Sequence, residues 1–207
     1  MSDQTLPHVH FEKRYAGEAP WDIPRPQTEI VAHAELLRGR VLDSGCGTGE
    51  NALYAAQQGC TVLGVDVVPE AIHRAQRKAN ERGLEATFEV RDALSYGSWE
   101  GREAAFDTVI DSGVFHIFND ADRATYVAGL AHVMTSGATL LLICFSDAEP
   151  GTVGPRRVTR AELEQTFAKD FTILSITPTQ YELLPRGEGE MFTAGGAKAY
   201  LLIARRR

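Results

Sequence analysis

Between Val41 and Glu50 the chain reads Val-Leu-Asp-Ser-Gly-Cys-Gly-Thr-Gly-Glu, an acid followed by three alternate glycines where an apolar strand gives way to a helical pattern. Residues of these types hold a ligand through the backbone. Gly45, Gly47 and Gly49 carry no Cβ, permit positive φ and let N–H groups approach a bound molecule closely. The spacing then narrows the ligand. In the dinucleotide fingerprint G-x-G-x-x-G the third glycine stands where the helix packs on the strand, with the pyrophosphate at the helix N-terminus. Counted from Gly45, that place holds Glu50. A carboxylate there would repel a pyrophosphate, whereas a ligand with a positive centre and an ammonium group tolerates it.

Further chemistry stands at the ends of the apolar runs that follow. Asp66 can accept two hydrogen bonds from the vicinal hydroxyls of a ribose, Val67 can pack on an adenine face, and Asp92 with Ala93 offers an acceptor and a backbone donor to the adenine edge. A single acid at a strand end is usually a turn residue. Several in order beside a glycine loop point to a nucleoside. His116 follows the fourth strand on the same side and titrates near neutrality, which makes it the candidate general base; a histidine that only packs is the alternative. Tyr15, Phe115, Phe118, Phe145 and Phe192 are candidate walls for an apolar substrate, with core packing as the ordinary alternative. Cys46 has no histidine close in sequence and reads as a small loop filler. His8 and His10 lack a third ligand, so no metal site is expected.

An open α/β sheet can position these groups. Strands are expected over residues 40–43, 61–66, 86–90, 106–110 and 138–145, alternating with helices, and this rhythm implies a parallel sheet covered on both faces. Thr48 can cap the helix after the glycine loop, and Pro69 suits the first turn of a helix that runs to Arg82 and stops at Gly83. Residues 120–134 have helical periodicity with Ser136-Gly137 as a stop. Thr159 and Glu162 form a capping box for a helix over 160–168. Strands over 171–176 and 199–204 have no helix-length segment between them, so they form an antiparallel pair joined by a long hairpin connection over 178–196. The expected architecture is a three-layer Rossmann-like sandwich, seven-stranded with an antiparallel last strand, over residues 39–207. Residues 1–38 form an arm, irregular across the prolines at 20, 24 and 26 and helical over 28–37, which packs beside the sheet or closes as a lid.

With 207 residues, 43% hydrophobic and 24% charged, the composition is that of one soluble α/β domain without a bilayer-spanning run or signal peptide. A net charge of −7 argues against nucleic acid, which requires a basic face; the terminal Arg205-Arg206-Arg207 reads as a solvated end. Three cysteines, an odd number without paired spacing, point to reduced thiols and a cytoplasmic protein.

Over residues 41–145 these motifs resemble, one after another, those of the class I S-adenosylmethionine-dependent methyltransferases, whose motif I matches Asp43 to Gly49 without a gap. The resemblance implies that Gly45, Gly47 and neighbouring backbone hold the methionine part of the cofactor, Asp66 the ribose, and Asp92 with Ala93 the adenine. It assigns Asp43 to the loop and the cofactor ammonium, and the backbone at Asp111 and Ser112 to the methionyl part. The finer likeness is to the thiopurine, halide/thiol and heterocyclic-toxin branch, the last most of all. It rests on Pro20-Trp21-Asp22-Ile23, on the run from Phe106 to His116, and on Cys144-Phe145-Ser146-Asp147. That branch implies a lid contact from Trp21 to the cofactor; Pro24 departs from it, standing where the pattern has glycine. The implied activity is methylation of a nitrogen or oxygen of a small aromatic heterocycle, such as a toxin or quinolone, for detoxification. S-adenosylhomocysteine is the second product, and no membrane or obligate protein partner is implied. Competing readings are a thiol or halide methyltransferase, a non-catalytic S-adenosylmethionine sensor, and a nicotinamide-dependent oxidoreductase.

Overall fold

The computed structural model describes residues 12, 14–15, 17, 19–184 and 192–207. His8 and His10 lie outside the described residues, as do Pro185, Gly187 and Gly189 of the long connection. The elements in chain order are α1 (Thr28–Ala32), β1 (Arg40–Ser44), α2 (Glu50–Gln57), β2 (Thr61–Asp66), α3 (Pro69–Arg82), β3 (Thr87–Val90), β4 (Phe106–Ser112), α4 (Asp120–Val133), β5 (Met134–Phe145), α5 (Arg160–Phe167), β6 (Phe171–Tyr181) and β7 (Ala197–Arg206). The sheet runs β3-β2-β1-β4-β5-β7-β6, with β1 to β5 parallel and β7 antiparallel to both its neighbours. The expected seven-stranded Rossmann-like class is the one observed. No helix among the described residues is long and apolar enough to cross a membrane.

Side-chain alternation on β5 shows why this strand is central. Leu140, Leu142 and Cys144 enter the core beneath α4 and α5, while Leu141, Ile143 and Phe145 enter the opposite core with α1 and α2, so a nearly unbroken apolar run satisfies both faces. On α3, Ala71, Ala75 and Ala79 recur every four residues and are fully buried; small side chains on one stripe let the helix approach the sheet closely. Thr159 and Glu162 make both arms of the expected capping box at α5, and Gly83 ends α3 in the left-handed conformation.

Four local expectations are corrected. Thr48 does not cap α2: Gly49 is the N-cap, with φ of 89° and no side-chain bond, and the Thr48 hydroxyl turns to the arm instead. Ser136 and Gly137 are not a stop after α4, because β5 begins at Met134 directly; Gly137 takes φ of +81° where the β4–β5 register shifts, a bulge that absorbs the extra residues. The arm helix is only Thr28–Ala32, broken at His33 before a 3₁₀ turn at Ala34–Leu36. Finally, β6 continues past residue 176 through Pro178 to Tyr181, which an edge strand permits because a missing N–H is tolerated there.

Candidate active site

The strand order reverses between β1 and β4, and the carboxyl ends of the strands there open on a cavity of about 1050 Å³. The loop after β1 forms its floor. Glycine is required at two positions: a Cβ on Gly45 would fall 2.1 Å from Val114 Cγ2, and one on Gly47 would fall 2.7 Å from the Tyr15 hydroxyl, both at positive φ. Asp66 holds the loop in shape, accepting the Gly47 N–H at 3.0 Å on one oxygen and the Val68 N–H at 2.9 Å on the other. A carboxylate has about four acceptor sites, so lone pairs remain for a ligand. Asp92 caps the 3₁₀ turn Ala93–Ser98 through the Leu94 N–H, and Asp92, Ala93 and Val67 line the same end.

Asp43 and Asp111 lie behind the wall rather than in it. Both are fully buried. Asp111 accepts from the Val114 and Phe115 amides and from the Tyr126 hydroxyl, and Ser44 links Tyr126 to Tyr96 beneath it. Neither oxygen of Asp43 has a partner in good hydrogen-bonding geometry, although the Ala52 amide stands close enough to offset part of the effect of burial. Burial pushes the Asp43 carboxyl up to about 8 and the Asp111 carboxyl up to about 7. Behind the glycine loop, therefore, no cation among the described residues compensates these two carboxyls.

Glu50, whose charge was expected to repel a pyrophosphate, is compensated by neighbouring cations. Its carboxylate receives two bonds from Arg82 and one from Lys78, each 2.8 Å. Burial acts to raise its pKa, but these cations more than offset it and hold it below the ordinary range. A compensated carboxylate does not repel a pyrophosphate; Glu50 anchors the start of α2 to α3.

The arm crosses this end. Trp21 Nε1 donates to the Tyr15 hydroxyl at 3.0 Å, and Arg74 donates to the Tyr15 carbonyl at 2.9 Å. The Thr48 hydroxyl donates to Asp22 while accepting from Lys78, so one chain of polar contacts runs from the arm through the glycine loop to Glu50. Farther along, Gln27 exchanges two bonds with the Glu182 backbone, and Glu182 pairs with Arg25 at 2.7 Å.

At the other end of the cavity stand His116, Phe118, Phe145 and Phe192, together with Tyr181, Asn119 and Arg156, which the sequence reading did not single out. Tyr181 reaches the cavity because β6 runs on past Pro178. Phe145 packs edge-on against Tyr181 and Phe192, at 5.5 and 5.3 Å between centroids. Phe115 is not part of this wall; it is fully buried against Phe167, beneath the Arg123 guanidinium. Cys46 is a buried filler whose thiol is pushed well above its ordinary range by burial.

His116 is 3% exposed, and its Nδ1 accepts the Phe145 N–H at 2.9 Å. Burial, then the positive charges of Arg123 and Arg157, lower its pKa to about 3. The ring is neutral across the physiological range. Because Nδ1 presents a lone pair, the remaining proton is on Nε2, where it can be donated.

Comparison with known proteins identifies the family to which this fold belongs. Residues 41–137 match the methyltransferase domain family. The 2-heptyl-1-hydroxyquinolin-4(1H)-one methyltransferase of Mycobacteroides abscessus is 36% identical over 203 residues, spanning 92% of this chain and 86% of that protein. A probable thiol methyltransferase 2 of Arabidopsis thaliana is 28% identical over 85% of this chain and 79% of its own. Among solved structures, one concerned with conversion of a disulfide bond into a thioacetal group during echinomycin biosynthesis superposes with a TM-score of 0.83 at 35% identity, covering 96% of this chain and 92% of that one.

Proposed function

This chain is a class I S-adenosylmethionine-dependent methyltransferase of small molecules, and from that premise we propose that it methylates an oxygen or nitrogen of a small aromatic heterocycle of the quinolone kind. The observation that carries this reading is the aromatic slot of Phe118, Phe145, Tyr181 and Phe192 beside His116, which suits a flat apolar ring. The 36% identity with a hydroxyquinolone methyltransferase supports it.

The residues present fit the cofactor. An unpartnered, fully buried carboxylate at Asp43 is what a site for an ammonium group leaves behind when the protein supplies no cation. On this reading Gly45, Gly47 and the backbone at Ser112 take the methionine part, with Asp43 and Asp111 acting on it through the wall. Asp66 takes the ribose hydroxyls, Val67 the adenine face, and Asp92 with Ala93 the adenine edge. Trp21 and Tyr15 close over the glycine loop from the described part of the arm, which serves as the lid.

When bound, the cofactor supplies an electrophilic methyl group on a positively charged sulfur. The protein's part is alignment and exclusion of water: a slot that orients the acceptor, and a roof that keeps solvent from competing. His116 acts here as a neutral hydrogen-bond donor rather than a base. The formal charge of −7 favours small-molecule acceptors over nucleic acid, and the free thiols of Cys46, Cys60 and Cys144 suit a reducing cytoplasm, where methylation would detoxify such compounds.

Incubation with labelled S-adenosylmethionine and a panel of hydroxyquinolones, flavonols, thiols and iodide tests the reading. Methylated hydroxyquinolone or flavonol is expected. Transfer to thiols or iodide alone would replace it with the second reading, which the likeness to a thiol methyltransferase favours.

A further inference from the structure

We infer that the acceptor end of the cavity is an anion-binding pole, built for an aromatic hydroxyl that arrives already ionised and is held by the Nε2–H of His116 with Arg123 and Arg157 behind it. This rests on the aromatic-acceptor reading above and narrows it, preferring an acidic hydroxyl to a neutral ring nitrogen.

The geometry of His116 is the first support. With Nδ1 engaged by the Phe145 amide, the ring cannot take a proton from an acceptor at that nitrogen without breaking a buried hydrogen bond. Nε2 makes no hydrogen bond in good geometry to the described residues, yet it is not sealed among the buried unpartnered atoms, and His116 lines the cavity. The Gly113 carbonyl accepts from the remaining ring N–H outside good hydrogen-bond geometry, a contact that an anionic acceptor would have to share or displace. What faces the acceptor is therefore a donor.

The charges behind it are the second. Arg123, from α4, is 3% exposed; it lies over the Phe115 ring and leaves Nη2 without a partner. Arg157, from the β5–α5 loop, spends its guanidinium on the carbonyls of Glu149, Pro150, Val153 and Pro155 and stands 5.4 Å from the Phe145 ring centre. Glu162 and Glu149 offset these cations in part, and Tyr181 faces the ring as a neutral phenol that donates to the Ser112 carbonyl at 3.1 Å. At the opposite end burial raises the carboxyls of Asp43, Asp66 and Asp111 towards their neutral forms, so the two described cations nearest His116 stand on the acceptor side alone.

Tyr181 is committed to Ser112, whereas Asp122, which lines the cavity and accepts from Asn119 at 2.7 Å, keeps lone pairs free and is the described carboxylate that a pH midpoint common to all acceptors would report. An ionised acceptor needs no base. Its oxygen lone pair forms the new bond to the methyl carbon, the carbon–sulfur pair returns to sulfur, and the two opposite charges cancel with no proton moved. Loss of opposite charges is favoured in a site that excludes water.

The test uses the protein saturated with S-adenosylhomocysteine and para-nitrophenol, whose two ionisation states absorb differently. The bound phenol is expected to titrate about one unit or more below the free one. Binding as neutral phenol, or no binding, overturns the inference. In turnover, para-substituted phenols of graded acidity should each give a rising pH limb whose midpoint follows its own ionisation; a midpoint common to all would reveal an enzyme base and overturn it. His116→Phe should weaken phenolate binding about tenfold or more without moving the midpoints, and His116→Asn, which keeps an N–H, should recover part. Unchanged phenolate affinity in His116→Phe overturns the assignment of the donor. If that variant loses its thermal stabilisation by S-adenosylhomocysteine, the wild-type titration decides alone. Transfer confined to thiols, with midpoints tracking thiol ionisation, would sink the heterocycle reading and leave the anionic pole standing.

Discussion

Asp43→Asn separates the stability of the empty protein from its affinity for cofactor, and should move them in opposite directions. The carboxyl is fully buried, without a hydrogen-bond partner, and burial raises its pKa from 3.8 to about 8. A group whose folded pKa is raised stabilises the fold fully below its unfolded pKa, and that contribution is lost as pH rises through the folded value. Between pH 3.8 and neutrality, at about 1.4 kcal/mol per unit, the loss comes to about 4 kcal/mol. The amide that replaces the carboxyl escapes this but leaves its own polar atoms unpaired, at about 1 to 3 kcal/mol. The net expectation is an apo variant about 1 to 3 kcal/mol more stable at neutrality, with Tm higher by roughly 2 to 10 °C. Its stability should also fall less steeply between pH 5 and about 8, the residual slope coming from Asp111, raised in the same sense to about 7. Cofactor binding should suffer. An ammonium that loses a buried counter-charge is expected to bind about a hundredfold more weakly. In the wild type, affinity for S-adenosylhomocysteine should rise about tenfold per pH unit from 6 towards 8, since Asp43 must shed its proton to pair, and this dependence should flatten in the variant. Urea unfolding of the apo protein and calorimetric titration across pH measure both. A variant no more stable than wild type, with unchanged affinity and the same pH slope, would refute the reasoning.

Glu50→Ala strands Lys78 and Arg82 at the start of α2, and is expected to lower stability by about 2 to 3 kcal/mol in urea unfolding. Gly64→Ala places a Cβ 2.6 Å from Phe88 Cδ1 and 3.0 Å from Cys46 Sγ, so thermal unfolding should report a loss of about 1 to 3 kcal/mol. Arg157→Lys cannot span four carbonyls with one ammonium; limited proteolysis should find the segment 149–155 newly cleavable, and KM for a hydroxyquinolone should rise with cofactor affinity unchanged. Acidification from pH 6.5 towards 3 should destabilise the protein through His116, whose depressed folded pKa makes the unfolded chain the better proton acceptor in that window; His116→Phe should remove this component.

The parallel half of the sheet was legible because the strands from β1 to β5 are apolar runs or, at β3, an alternating one, each closed by a polar residue, and because the glycine loop admits few alternatives. What escaped was set by partners distant in sequence. Thr48 looks like a cap until Asp22 and Lys78 are beside it; Pro178 looks like a strand end until β6 is known to be an edge; Ser136-Gly137 looks like a stop unless the β4 register is visible. The residues around the cavity divide in the same way. Those carried on strand ends could be ordered from the sequence, whereas Tyr181 and the turn that buries Phe115 while aligning His116 depend on tertiary packing. The histidine's chemistry was the least legible, since the Phe145 amide that fixes its tautomer lies 29 residues away.

The two borders of the sheet carry one more consequence. At one border β3 offers only the four residues Thr87–Val90, and at the other β6 is interrupted by Pro178, which has no N–H to present. An incoming strand would find either too short a ladder or a broken one. Copies of this protein should therefore resist joining strand to strand into a continuous sheet, even at high concentration.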